Sequence, residues 1–170
     1  MSITERGLIS VGNGVSIERM TEHDLLEVVE IEETSGLSRW GWAAYYAELQ
    51  GSNRQLMLVA RIDDQSKSGP RRLAGYIVAR MGADELHINN VAVRREHRRC
   101  GIGLELLGQI LAAARKAGVP IAFLELRAGN KAALELYQKC GFQVTARRKN
   151  YYSEPIEDAL VMIVRLSSNA

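Results

Sequence analysis

Four residues in the stretch VAVRREHRRCGIGLELLGQIL (residues 91–111) have the types and spacing of an anion site: Arg98, Arg99, Gly101 and Gly103. An apolar run ends in arginines, then Gly-x-Gly, then a helix-like pattern. A helix N-terminus presents unpaired backbone N–H groups and partial positive charge, which suits phosphate. The guest this predicts is a pyrophosphate-bearing cofactor. On this fragment alone an ordinary tight turn explains the glycines equally well. The spacing is not that of a Walker A loop, which needs Gly-Lys-Ser/Thr. Three strand-like segments also precede the one that leads into the glycines, where a dinucleotide fold would have none.

A second set lies further on. In IAFLELR (121–127), alternation puts Ile121, Phe123, Glu125 and Arg127 on one face. A carboxylate beside Phe and Ile is costly to bury without a partner or a task. Glu125 is therefore a candidate general base, or one half of a structural ion pair with Arg127 or another cation. Tyr137 follows Ala133 by four residues and Leu134 by three, on an apolar helix side where a core tyrosine is the default. Cys140 reads as packing, and Cys100 as a loop residue whose backbone matters more than its thiol. His87 and His97 have no evident co-ligands, so no metal is expected.

These residues need a scaffold, and the pattern supplies one. GVSIERM (14–20) alternates as a strand, and Thr21 stands as an N-cap before EHDLLEVVEIEETS, where Leu25, Val28, Val29 and Glu32 have helical spacing. SRWGWAAYYAELQ predicts a second helix. RQLMLVARI and RLAGYIVAR predict consecutive strands around the polar loop DDQSKSGPR, and ELHINNVAVR a fourth strand. A helix over 101–117 stops at Gly118, with Pro120 beyond. IAFLELR is a strand and NKAALELYQKC a helix stopped at Gly141; FQVTARRK and ALVMIVRL close the chain as strands. The order βααβββαβαββ predicts an α/β (α+β) fold. Its sheet is mixed and mostly antiparallel, flanked by helices, with a parallel pair where the fourth strand, helix and fifth strand make a crossover. The expected organisation is a flexible lead over 1–13, a single domain over 14–166 and a short tail over 167–170.

Composition excludes several classes. The 170 residues suit one domain with a substantial core. The hydrophobic share of 46% and charged share of 25% are those of an ordinary globular protein. A net charge of +2 permits an anionic ligand without indicating a nucleic-acid binder. Two cysteines make no disulfide framework, no apolar run approaches a membrane span, and the start does not read as a secretory signal. The expectation is a cytoplasmic monomer or weak dimer, without membrane association.

RRCGIG resembles the Arg/Gln-x-x-Gly-x-Gly/Ala acetyl-CoA signature of the GNAT superfamily of N-acetyltransferases, at Arg98, Gly101 and Gly103. The predicted element order is also that superfamily's. VAVRREHRRCGIG, LELRAGNKAALELYQKCGF, RRKNYYSE and EDALVMIVRL together resemble the ribosomal-protein-alanine N-acetyltransferases and their amino-terminal acetyltransferase relatives, closely over residues 73–166. The resemblance implies that Val91, Ala92 and Val93 bond the pantetheine arm of acetyl-CoA. It implies that Arg98, Arg99, Cys100, Gly101, Ile102, Gly103 and Leu104 hold the pyrophosphate, and that Asn130 binds the pantetheine side. It makes Glu125 the proton acceptor and Tyr137 the proton donor to the leaving thiolate. Tyr151, Tyr152 and Trp40 fall on the acceptor side. Where these relatives carry a Phe-Pro-Trp-Ser-like segment, this chain has GLSRWGW, with Trp40 and Trp42.

The chemistry implied is direct attack of an amine on the thioester. The resulting oxyanion would be stabilised by a backbone N–H near Val93. An α-amine has a pKa roughly 2.5 units below lysine's, an advantage of about 3.4 kcal/mol in deprotonation near pH 7. The resemblance makes the N-terminal alanine of a small-subunit ribosomal protein the leading acceptor, and the amine pKa agrees with an N-terminus. Other protein N-termini, lysines or small amines such as aminoglycosides are the alternative within the same chemistry. A non-catalytic CoA-binding or RNA-associated module is the alternative from another class; RRKNYY (147–152) fits RNA stacking as well as a solvated strand end or a peptide contact.

Overall fold

The computed structural model describes residues 9–11, 14–63 and 71–166. They fall into two compact units, Met1–Val78 with Asn90–Leu106, and Ala79–Asn89 with Leu107–Ala170.

In the first unit β1 (Ile9–Val11), β2 (Val15–Arg19), β3 (Met57–Ile62) and β4 (Arg72–Met81) pair antiparallel in chain order. The helices are α1 (Leu25–Thr34) and α2 (Gly41–Leu49). A 3-10 turn, Glu22–Asp24, leads into α1, and the Asp24 carboxylate takes the Thr21 N–H at 2.8 Å. Leu25, Val28 and Ile31 recur at helical spacing and are fully buried, with Tyr45, Met57, Val59, Leu73 and Tyr76 in the same apolar cluster. Burial of a side chain this size contributes about 1.5–3 kcal/mol. Arg54–Leu56, expected at the start of a strand, form a 3-10 turn instead. β1 adds a short strand in the stretch expected to be a lead; the rest of that lead, the polar loop over 64–70 and the tail over 167–170 lie outside the described residues.

β4 and β5 (Glu85–Val93) run on through the second unit, where Gly82 N–H meets the Glu85 carbonyl at 2.9 Å in the turn between them. There the strands pair in the order β5, β6 (Ile121–Arg127), β8 (Ile156–Arg165), β7 (Gln143–Ser153). β5 and β6 are parallel and the other two pairs antiparallel, as the α3 crossover (Ile102–Lys116) requires. The mixed, mostly antiparallel sheet with flanking helices is the architecture the element order predicts. α3 buries Leu107, Ile110, Leu111 and Ala114, and β6 buries Ala122, Leu124 and Leu126 on alternate positions. α4 (Lys131–Lys139) starts where the Asn130 side chain accepts the Ala133 N–H, and stops at Gly141, whose φ of 89° is left-handed.

Two details of the second unit place its chemistry. The parallel ladder runs from Glu85↔Ile121 to Ile88↔Leu124, so Glu125 is the first β6 residue past the last rung. β7 is longer than its apolar pattern and exposed along nearly its whole length. Its register against β8 breaks between Arg148↔Ala159 and Tyr152↔Glu157. Lys149, Asn150 and Tyr151 thus bulge opposite the single residue Asp158, which takes the Asn150 N–H.

Candidate active site

In the first unit the arginines after β5 separate into two kinds. Arg94 is buried: its guanidinium reaches Glu30 at 2.9 Å, Glu27 at 3.0 Å and the Leu73 carbonyl at 2.7 Å, tying β5 to α1 and β4. Arg98 and Arg99 are exposed, and the Arg98 Nε donates to the Val93 carbonyl at 2.9 Å. The backbone turns left-handed at Arg99 (φ 60°) and again at Gly101 (φ 82°). A Cβ at Gly101 would meet nothing within 4 Å, so the space in front of the turn is open. α3 begins at Ile102, and the first bond one turn back is Glu105 N–H to the Gly101 carbonyl at 3.0 Å. The N–H groups of Ile102, Gly103 and Leu104 therefore have no carbonyl one turn back, the arrangement that binds phosphate. Cys100 is exposed, with its thiol at 3.5 Å from the Arg98 carbonyl. Val91 and Val93 are half-buried and Ala92 is buried. β4 passes so close that a Cβ on Gly75 would come within 2.6 Å of the Ala92 carbonyl, which only glycine allows.

Trp40, on the acceptor side by resemblance, is half-buried against the apolar cluster, 5.4 Å from the Tyr45 ring. Trp42 is exposed and stacks on Tyr46.

The second unit holds Glu125, Tyr137, Tyr151 and Tyr152. Glu125 does not pair with Arg127. Its Oε2 accepts the Tyr151 hydroxyl at 3.1 Å, and its Oε1 lies 3.4 Å from the Arg148 guanidinium, which also sits 5.4 Å over the Tyr151 ring. Residues three apart point to opposite faces of a regular strand. The bulge brings Arg148 and Tyr151 to the same carboxylate. Arg127 instead pairs with Glu157 at 3.4 Å and lies 4.3 Å over the Tyr152 ring. Burial pushes the Tyr152 phenol up to about 12, and burial plus the Glu125 bond also raise Tyr151. Tyr137 is buried, edge-on to Phe142 at 5.9 Å, and desolvation drives its phenol well above its ordinary value. All three phenols keep their protons at neutral pH. His87 stacks on Phe123 at 4.4 Å, with Asn89 Nδ2 at 3.2 Å from its Nδ1, and burial lowers its pKa. Cys140 is partly buried and its thiol is raised by desolvation. Among the described residues no three His, Cys, Asp or Glu side chains cluster as metal ligands.

Arg148 escaped the sequence reading. Its contact depends on a bulge whose one local signal is Asn150, a residue type that tolerates the left-handed φ of 52° found there.

A helix start with exposed arginines beside it suits a phosphate-bearing cosubstrate. The chain belongs to the acetyltransferase (GNAT) family, which it matches over residues 24–142. It is 32% identical to the ribosomal protein bS18-alanine N-acetyltransferase of Salmonella typhimurium over 157 residues, 91% of this chain and 99% of that one. The fold is similar to Ard1 from Thermoplasma volcanium, with a TM-score of 0.80, 25% identity and coverage of 91% and 99%. It is also similar to the ribosomal-protein-S18-alanine N-acetyltransferase of Escherichia coli, with a TM-score of 0.74, 28% identity and coverage of 92% and 96%. The protein is an acetyltransferase with acetyl-CoA as its cosubstrate.

Proposed function

We propose that this enzyme acetylates the α-amino group at a protein N-terminus, with an alanine-starting small-subunit ribosomal protein in the cytoplasm as the leading acceptor. One observation carries this. Glu125 already holds a cation, Arg148, beside a phenol that fixes the carboxylate's orientation. An incoming α-ammonium can take the guanidinium's place, and its proton then passes to Glu125. The exposed Arg148 pair is weak enough to open, being worth about 0–1 kcal/mol.

Acetyl-CoA supplies an activated acetyl carbon and a thiol leaving group. Arg98, Arg99 and the N–H groups of residues 102–104 would hold its phosphates, and Val91, Ala92, Val93 and Asn130 its pantetheine arm. Glu125 accepts the proton that must leave the amine before the C–N bond forms. Tyr137, protonated at neutral pH, is suited to give a proton as the C–S bond breaks. Tyr151, Tyr152 and Trp40 line the acceptor side. The α-amine, with its pKa of about 7.7–8.0, needs only a single carboxylate as base, where lysine at about 10.4 would demand more.

The test is CoA release by the intact protein with peptides differing in their first residue, set against lysine peptides with blocked N-termini and aminoglycosides. Preference for a free alanine N-terminus is expected. Faster turnover of lysine or aminoglycoside would overturn the assignment, as would salt-sensitive RNA binding without CoA release.

A further inference from the structure

We propose that Glu32, Tyr45, Tyr76 and Asn90 form a positioning relay that sets the segment entering α2, and through Trp40 sets the grip on the acceptor peptide. This rests on the acceptor assignment above. Glu32 is 1% exposed on α1, yet among the described residues its carboxylate takes only neutral donors. Oε1 accepts the Trp40 N–H at 2.7 Å and the Tyr45 hydroxyl at 2.7 Å, and Oε2 accepts the Gly41 N–H at 3.1 Å.

The protons can run only one way. The single Tyr45 hydroxyl proton goes to Glu32, so in the 2.8 Å contact between Tyr45 and Tyr76 the donor is Tyr76. Asn90 Nδ2 donates to the same Tyr45 oxygen at 2.9 Å. Every donor thus points towards the Glu32 side chain. One end of the relay is Asn90, directly before Val91, Ala92 and Val93; the other is the backbone of Trp40.

The segment between α1 and α2 has no helix or strand of its own, and left-handed glycines stand at Gly36 (φ 66°) and Gly41 (φ 73°). Leu37 and Trp40 rest on the apolar cluster, but direction comes from the hydrogen bonds to Glu32. A network serving only stability would be indifferent to where Trp40 lies. One serving the acceptor would not.

The experiment measures KM for an alanine-starting peptide, the acetyl-CoA Kd by calorimetry, and Tm. The variants are Glu32→Gln, Tyr45→Phe, Tyr76→Phe and a core-cavity comparator, Val28→Ala. Glu32→Gln and Tyr45→Phe should raise peptide KM roughly tenfold, the scale of one hydrogen bond to a charged group. Tyr76→Phe should raise it less, with acetyl-CoA Kd unchanged in all three. Val28→Ala should lower Tm and leave peptide KM alone. If Glu32→Gln does not fold, Tyr76→Phe carries the test. Unmoved peptide KM in folded relay variants, or an equal rise in Val28→Ala, overturns the relay alone. Failure of the wild-type protein to acetylate any N-terminal peptide overturns the acceptor assignment and the relay with it.

Discussion

Glu32 and Glu125 are both carboxylates set among aromatic rings, and they are held in opposite ways. Glu32 is out of reach of water and bound by a buried phenol on α2 and by the backbone N–H groups of Trp40 and Gly41 where that helix begins. Glu125 keeps 15% of its side chain accessible and is bound by the exposed Arg148 and by Tyr151, both on a bulged edge strand. A carboxylate satisfied by fixed neutral donors is a structural post. One satisfied by a mobile cation and a single phenol can exchange that cation for another.

The contrast fails most visibly if Glu125→Gln is harmless. That substitution should lower kcat/KM about 10²–10⁴-fold near pH 7, within the range of general acid–base contributions, with Tm nearly unchanged. The loss should shrink towards pH 9 as free amine accumulates. Tyr137→Phe should also slow turnover, but without alkaline rescue, since the group acts on the departing thiol. Equal, pH-independent losses in the two would remove their separate roles. Glu32→Ala should do the reverse of Glu125→Gln, unfolding before it slows chemistry. It strands the buried Tyr45 hydroxyl and the part-buried N–H groups of Trp40 and Gly41, a cost of about 2–4 kcal/mol, or roughly 5–15 °C in Tm. A Tm within a degree or two of wild type would mean that Glu32 is not a post.

Smaller effects sharpen the picture around Glu125. His87, stacked on Phe123, has its pKa lowered by burial, so the unfolded chain binds its proton more readily. Its contribution to stability is complete above the ordinary pKa of about 6.5 and is lost as pH falls through the lowered folded value. Melting curves from pH 7.5 to 5 should therefore be flatter for His87→Gln than for wild type; parallel curves would exclude it as the acid-sensitive group. The smallest change is expected for Arg148→Ala. An exposed pair contributes at most about 1 kcal/mol, so Tm should hold while peptide KM moves a few-fold. A fall of a hundredfold in kcat/KM would instead make Arg148 part of the chemistry rather than a stand-in for the ammonium.

How far these features could be read in advance follows from how local they are. The turn into α3 was legible because Gly101, the arginines and the start of the helix are contiguous in sequence. The crossover from β5 through α3 to β6 was legible because periodicity changes from two to near four and back. Glu32 was read as one more position on the helical stripe with Leu25, Val28 and Val29. A glutamate on an apolar stripe was the available signal, but its donors, Tyr45, Trp40 and Gly41, lie on a segment whose path residue types do not dictate. For Glu125 an ion pair with Arg127 or another cation was the alternative to a general base, and Arg127 was the local choice of partner. Arg127 found Glu157 and Glu125 found Arg148, both through registers of β7 and β8 that alternation cannot supply.

The bulge in β7 makes chain length a design variable separate from side-chain identity. Three residues stand opposite Asp158, while the ladder from Gln143 to Arg148 and the pair at Tyr152 and Ser153 are set independently. Removing one residue from Lys149–Asn150 would leave β8 and β6 intact and rotate the following tyrosines by one position. A phenol other than Tyr151 would then face Glu125, or none would. A change of length at this one point therefore changes which side chain meets Glu125 while leaving Glu125 itself in place.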